Sequence, residues 1–154
     1  MTRARSRGCI ALELMSVLLL PGTSLAGDKP GATVTVKMSK FHNDKGQVLL
    51  GLFSSKNPKV FPSKFERAAR HGKTTIKGRK AVYAFKDVTP GEWAIAVVHD
   101  ENKNGKMDTN WLGIPKEGYG ASRNPRPRIG APDFKDAKFT VKKTDRAFKI
   151  LMLY

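Results

Sequence analysis

Glu92-Trp93-Ala94-Ile95-Ala96-Val97-Val98-His99 runs directly into Asp100-Glu101-Asn102-Lys103-Asn104-Gly105-Lys106-Met107-Asp108, so a strand hands over to an acidic loop without a spacer. In the strand, Trp93, Ile95 and Val97 alternate with Ala94, Ala96 and Val98, a period-two pattern that is apolar on both faces. In the loop, side-chain oxygens recur at the first, third, fifth and ninth positions, and Gly105 occupies the sixth, where a calcium loop turns sharply. The twelfth position, which in an EF-hand carries the closing bidentate Glu, is Trp111.

Short apolar stretches lie on both sides of this unit. Upstream, Asp87-Val88-Thr89-Pro90-Gly91 makes the entry turn: Pro90 presets φ and Gly91 tolerates a positive one. Residues 33–38 alternate, with Val34, Val36 and Met38 on one side. Asn43-Asp44-Lys45-Gly46 then supplies hairpin-turn chemistry leading into residues 47–54. Val48-Leu49-Leu50-Gly51-Leu52-Phe53 is apolar on both faces and is expected to be central. Residues 73–76 and 80–85 read as a strand pair joined around Gly78, and residues 138–142 and 147–153 as the last two strands, with Thr144-Asp145-Arg146 in the turn between.

From residue 58 to 72 the period changes. Phe61, Phe65, Ala68 and Ala69 recur at helical spacing, Ser63 and Glu66 form a capping box, and Gly72 is a stop signal, which predicts a helix of about two turns. Residues 111–132 are rich in Gly, Pro and charge, the composition of a long functional or surface loop. Strands recurring at intervals of about 8 to 15 residues, with turn chemistry between them, predict an all-β sandwich carrying one short helix.

The first 26 residues read as a secretory signal, in which Arg3, Arg5 and Arg7 precede an apolar stretch over residues 10–20 and a Ser24-Leu25-Ala26 cleavage site. The apolar stretch falls short of the roughly 20 residues that span a bilayer, and Glu13 interrupts it. The expected product is therefore a periplasmic or secreted protein of about 128 residues, one sandwich domain over residues 27–154, with no transmembrane segment in the mature chain. Cys9 lies in the signal, which leaves the mature chain no disulfide, thiolate metal site or cysteine nucleophile. The net charge is +16, and about +14 once three arginines and one glutamate leave with the signal. The basic residues are scattered, without a long block or aromatic interleaving, so an anionic envelope component is the expected partner and nucleic acid is not.

Residues 88–108, followed by Trp111-Leu112-Gly113-Ile114-Pro115-Lys116-Glu117-Gly118-Tyr119-Gly120-Ala121-Ser122-Arg123-Asn124, resemble the DUF2141 family of exported bacterial proteins, with both blocks in order and correctly spaced. The likeness extends over roughly residues 32–154. It implies a seven-stranded Greek-key β-sandwich of the transthyretin (prealbumin) kind, similar also to the regulatory domains of carboxypeptidases. The family's DxNxNGxxD falls on Asp100, Asn102, Asn104, Gly105 and Asp108, and its GxPxEGYGxS on Gly113, Pro115, Glu117, Gly118, Tyr119, Gly120 and Ser122.

Two readings of the acidic loop stand side by side. In one, Asp100, Asn102, Asn104 and Asp108 with the backbone carbonyl of Lys106 hold a weak Ca2+ site, water completing the shell. In the other, the same side chains accept local backbone amides as Asx-turns, while Lys103 and Lys106 partly neutralise the carboxylates. Glu117 either bends back to supply the missing carboxylate or anchors the loop by accepting amides. Trp111 and Tyr119 are candidates for a glycan- or peptide-binding platform, with packing of the long loop onto the sheet as the simpler role.

His42, His71 and His99 lack the spacing of a zinc site and read as structural. No GxSxG elbow, HExxH or mature-chain cysteine is present, so no catalytic residue is assigned. The expectation is a non-catalytic binding or accessory module of the envelope, docking on a glycan, a protein or another anionic component. The alternative is a hydrolase acting through the loop carboxylates Asp108 and Glu117.

Overall fold

The computed structural model describes residues 31–154. The secretory signal expected over residues 1–26 lies outside them. In chain order the strands are β1 (Ala32–Ser39), β2 (Gln47–Ser54), β3 (Arg70–Thr74), β4 (Lys80–Val88), β5 (Gly91–Asp100), β6 (Tyr119–Ala121), β7 (Phe139–Val141) and β8 (Arg146–Leu151). A single α-helical turn among the described residues, α1 (Phe134–Ala137), precedes β7. One sheet places β1 between antiparallel β4 and parallel β8. The other runs β3-β2-β5-β6, all antiparallel, and β7 takes the remaining length of β5 beyond β6.

The two sheets form a sandwich because their alternating residues share one core. Val34, Val36 and Met38 of β1, Phe85 of β4 and Ile150 of β8 meet Val48, Leu50 and Leu52 of β2 and Ile95 and Val97 of β5. Each aliphatic side chain of this kind contributes roughly 1.5–3 kcal/mol when taken fully out of water. The opposite face of β2 and β5 is also covered: Phe53, Ala94 and Ala96 pack with Val60, Phe61, Phe134 and Ala137. Edge-to-face contacts link Phe53 to both Phe61 and Phe65, and Phe61 to Phe134. This second cluster explains why β2 and β5 read as apolar on both sides.

The all-β expectation holds, and four local expectations change. The strand count is eight rather than seven, because Tyr119–Ala121 inside the Gly-rich segment pairs with β5. The turn at residues 43–46 does not close a hairpin: it carries the chain from β1 in one sheet to β2 in the other. Around Gly78 the expected strand pair shrinks to one antiparallel bridge, Lys77 with Lys80; β3 begins earlier, at Arg70, and its ladder is with β2. In place of a two-turn helix there are two 3₁₀ turns, Pro58–Val60 and Phe65–Arg67, with no side-chain cap from Ser63. Pro62 lies between them and has no amide to donate to a continuous helix. The periodic Phe61, Phe65 and Ala68 instead follow the contour of the second cluster.

Candidate functional site

β5 ends in the sheet at Asp100, paired with Gln47 of β2, and this register aims the loop. The Asp100 side chain is fully buried. Its Oδ1 accepts the Asn104 amide at 3.0 Å, and its Oδ2 accepts the Gly105 amide at 2.9 Å and the Gln47 Nε2 at 2.6 Å. The loop therefore curls around its own first residue. Asn102 Oδ1 also accepts the Asn104 amide (3.0 Å), and Asn104 Oδ1 accepts the Lys106 amide (3.0 Å).

Asp108 closes the curl from the far side. Asn102 Nδ2 donates to its Oδ2 at 2.7 Å and Asn104 Nδ2 to its Oδ1 at 2.9 Å. The Asn104 amide holds the Asp108 carboxyl below the usual carboxylate range; burial opposes this, while the Asn102 amide and the charges of Lys106 and Lys116 add to it. Four of the five residues named for calcium thus converge through their side chains, and Lys106 contributes its backbone amide to the same network. Among the described residues no group of three or more His, Cys, Asp or Glu side chains is gathered as a metal cage. The side chains that converge are two carboxylates and two amides, and the amides present their nitrogens to Asp108 while their oxygens accept backbone amides.

Glu117 adopts the anchoring role. It is 6% exposed; Oε1 accepts the Glu101 amide at 3.0 Å and Oε2 the Asp108 amide at 2.9 Å, so one carboxylate clasps the loop at both ends. Both members of the alternative carboxylate pair, Asp108 and Glu117, are engaged in holding the loop. Trp111 departs from the packing expectation, being 90% exposed. Asn110 shapes that segment instead, its Oδ1 accepting the amides of Leu112 and Ile114, both at 2.9 Å. Tyr119 is half-buried in β6 and bridges Leu153 by two backbone hydrogen bonds.

Several residues that fix the site carry no sequence motif. Gly46 is left-handed (φ 72°), and a Cβ there would strike the Asp100 carbonyl and the Glu101 backbone, so the first crossover and the acidic loop touch only because the residue is glycine. His99 is fully buried beside them. Its Nε2 lies 2.9 Å from the Lys45 carbonyl, which can only accept, so Nε2 carries the proton. Its Nδ1 lies 2.7 Å from the Tyr154 hydroxyl and 3.7 Å from a Glu101 carboxylate oxygen, and the Tyr154 oxygen accepts the His42 amide at 3.0 Å. Burial, ahead of the nearby Glu101 charge, raises the Tyr154 pKa, while the His42 hydrogen bond pulls the other way. His42 stacks on the Tyr154 ring and His71 bonds the Phe65 carbonyl, so all three histidines have structural partners.

Together these features define an all-β sandwich module with a pinned acidic loop at the end of its central strand. The chain belongs to the DUF2141 family, described as "Uncharacterized protein conserved in bacteria", whose model matches residues 36–149. Comparison with curated proteins and with solved structures finds no match.

Proposed function

We propose that the protein is an exported, non-catalytic binding module of the cell envelope whose 100–108 loop takes calcium weakly and stiffens the surface beside it. The observation that carries this reading is the convergence of the Asp100, Asn102, Asn104 and Asp108 side chains about one loop, with the Asp100 carboxylate already accepting the fifth and sixth amides. Without a cation the loop satisfies itself, because Asn102 and Asn104 donate to Asp108. Calcium must turn those two amides so that their oxygens face the ion, giving up two hydrogen bonds worth about 0.5–1.5 kcal/mol each. The site is therefore weak, in the range of extracellular modules with dissociation constants of about 0.1–1 mM. A net charge of about +14 after signal removal supports an anionic envelope partner for the face so stiffened.

Melting curves in calcium, magnesium and chelator test this. Calcium at about 100 times its dissociation constant adds about 2.7 kcal/mol of stability if it binds the folded form alone. The expected result is a calcium-specific upward shift that Asp108→Ala removes. No shift at several times about 1 mM calcium sinks the reading.

A further inference from the structure

A concavity of about 740 Å³ lies under the segments that follow the acidic loop. That volume falls within the roughly 300–1,000 Å³ typical of small-molecule sites. Its floor is the outer face of β5 and β6, lined by Ala96, Val98, Tyr119 and Ala121 and bordered by Leu151 and Leu153. Its rim is apolar and open to water: Leu112, Ile114 and Ile129 line it at 60%, 55% and 93% exposure, and Trp111 adjoins Leu112 in the chain. The three that line it are half of the six large hydrophobic residues exposed among the described residues.

Among the lining residues Arg126 alone is charged, and no carboxylate lines the cavity. Lys116 and Arg128, both exposed, lie in the two rim segments beside lining residues Pro115 and Ile129. Of the acidic residues adjoining lining residues in the chain, Asp108 holds the two asparagine amides, Asp133 lies 3.5 Å from Lys135, and Glu66 beside Phe65 is exposed. One apolar cavity with one guanidinium and a cationic surround is the complement of a molecule with one hydrocarbon chain and one anionic head. A protein partner would need an anionic knob with an apolar tip, whereas a single-chain acid carries both parts in one molecule.

We propose that this cavity binds a free single-chain anionic amphiphile such as a long-chain fatty carboxylate, the chain lying on the β5–β6 face and the acid group on Arg126. The inference deepens the binding-module reading by naming a ligand class, and it uses none of the calcium ligands.

Submicellar sodium oleate is titrated into the purified protein in chelator and followed by Trp fluorescence and calorimetry. Oleyl alcohol and vesicles of phosphatidylglycerol or phosphatidylcholine serve as the comparison arms. Saturable one-to-one oleate binding is expected; Arg126→Glu weakens it about tenfold or more while sparing oleyl alcohol. Ile129→Asp weakens both. Both substitutions are on exposed residues, and an unchanged melting temperature confirms that each variant is folded. Absent oleate binding, binding unaffected by either variant, attachment to vesicles alone, or self-association that excludes oleate each overturns the inference. Because chelator is present throughout, failure here leaves the calcium reading standing, and a missing calcium shift leaves this one standing.

Discussion

Asp108 is the residue whose charge the loop depends on, since it receives the Asn102 and Asn104 amides and its carboxyl is held below the usual range chiefly by Asn104. A folded-state pKa depressed below the unfolded value means that the ionised form is favoured by folding. Its stabilisation is complete above the unfolded carboxylate value of about 3.9 and is lost as pH falls through the lower folded value. Asp108→Asn removes the charge and one of the two acceptor oxygens, so the pH-dependent part of the difference reads the ionisation, because the other carboxylates titrate in both proteins and cancel. Urea unfolding across acid pH is expected to show parent and variant separated near neutrality and converging on acidification. A separation that persists undiminished at the acid end shows that the carboxylate's ionisation does not organise the loop.

At the scale of elements, Ser122 ties three of them together. It is fully buried; its hydroxyl accepts the Ile95 amide of β5 at 2.9 Å and donates to the Ala137 carbonyl of α1 at 2.6 Å, just after β6 ends. Ser122→Ala strands a buried donor and a buried acceptor, each costing about 1–3 kcal/mol. A loss of roughly 2–4 kcal/mol in denaturant unfolding is expected, and a near-neutral result would show that the Ile95 and Ala137 groups find other partners. The neighbouring Asn124 works similarly, its amide exchanging hydrogen bonds with the Lys149 carbonyl and the Leu151 amide of β8. Such pins explain what the sequence conceals. Strands β1, β2 and β5 were legible because Val34, Val36, Val48, Ile95 and their neighbours repeat with period two over eight or more residues. β6 is only Tyr-Gly-Ala, and β3 is Arg-His-Gly-Lys-Thr without a large apolar residue; both are strands through pairing with a neighbour rather than through their own pattern. Turn residues at 43–46 announce a reversal but not which sheet the chain enters next, so a crossover carries the same signal as a hairpin. The acidic loop was legible from its spacing, whereas Gln47, Gly46 and His99 join it only through the β2–β5 register and the first crossover.

Over the whole molecule, 29 Lys and Arg face 13 Asp and Glu. Among the described residues the Lys and Arg ion pairs are Lys135–Asp133 and Lys138–Glu92, both largely exposed and of little individual worth. Most of the positive charge therefore repels itself across a small sandwich, and repulsion is relieved when the chain expands on unfolding. Salt shortens the reach of that repulsion from about 30 Å at 0.01 M to about 8 Å at 0.15 M. Melting temperature is expected to rise with sodium chloride over this interval and then level off, because further screening acts below the spacing between unpaired charges. A relief of about 1 kcal/mol corresponds to a rise of roughly 4 °C in a domain of this size. The curve must be taken in chelator, so that calcium at the 100–108 loop does not contribute. A melting temperature that falls with salt would mean that attractive pairs outweigh the repulsion, and the cationic surface would then be no reservoir of attraction for an anionic partner.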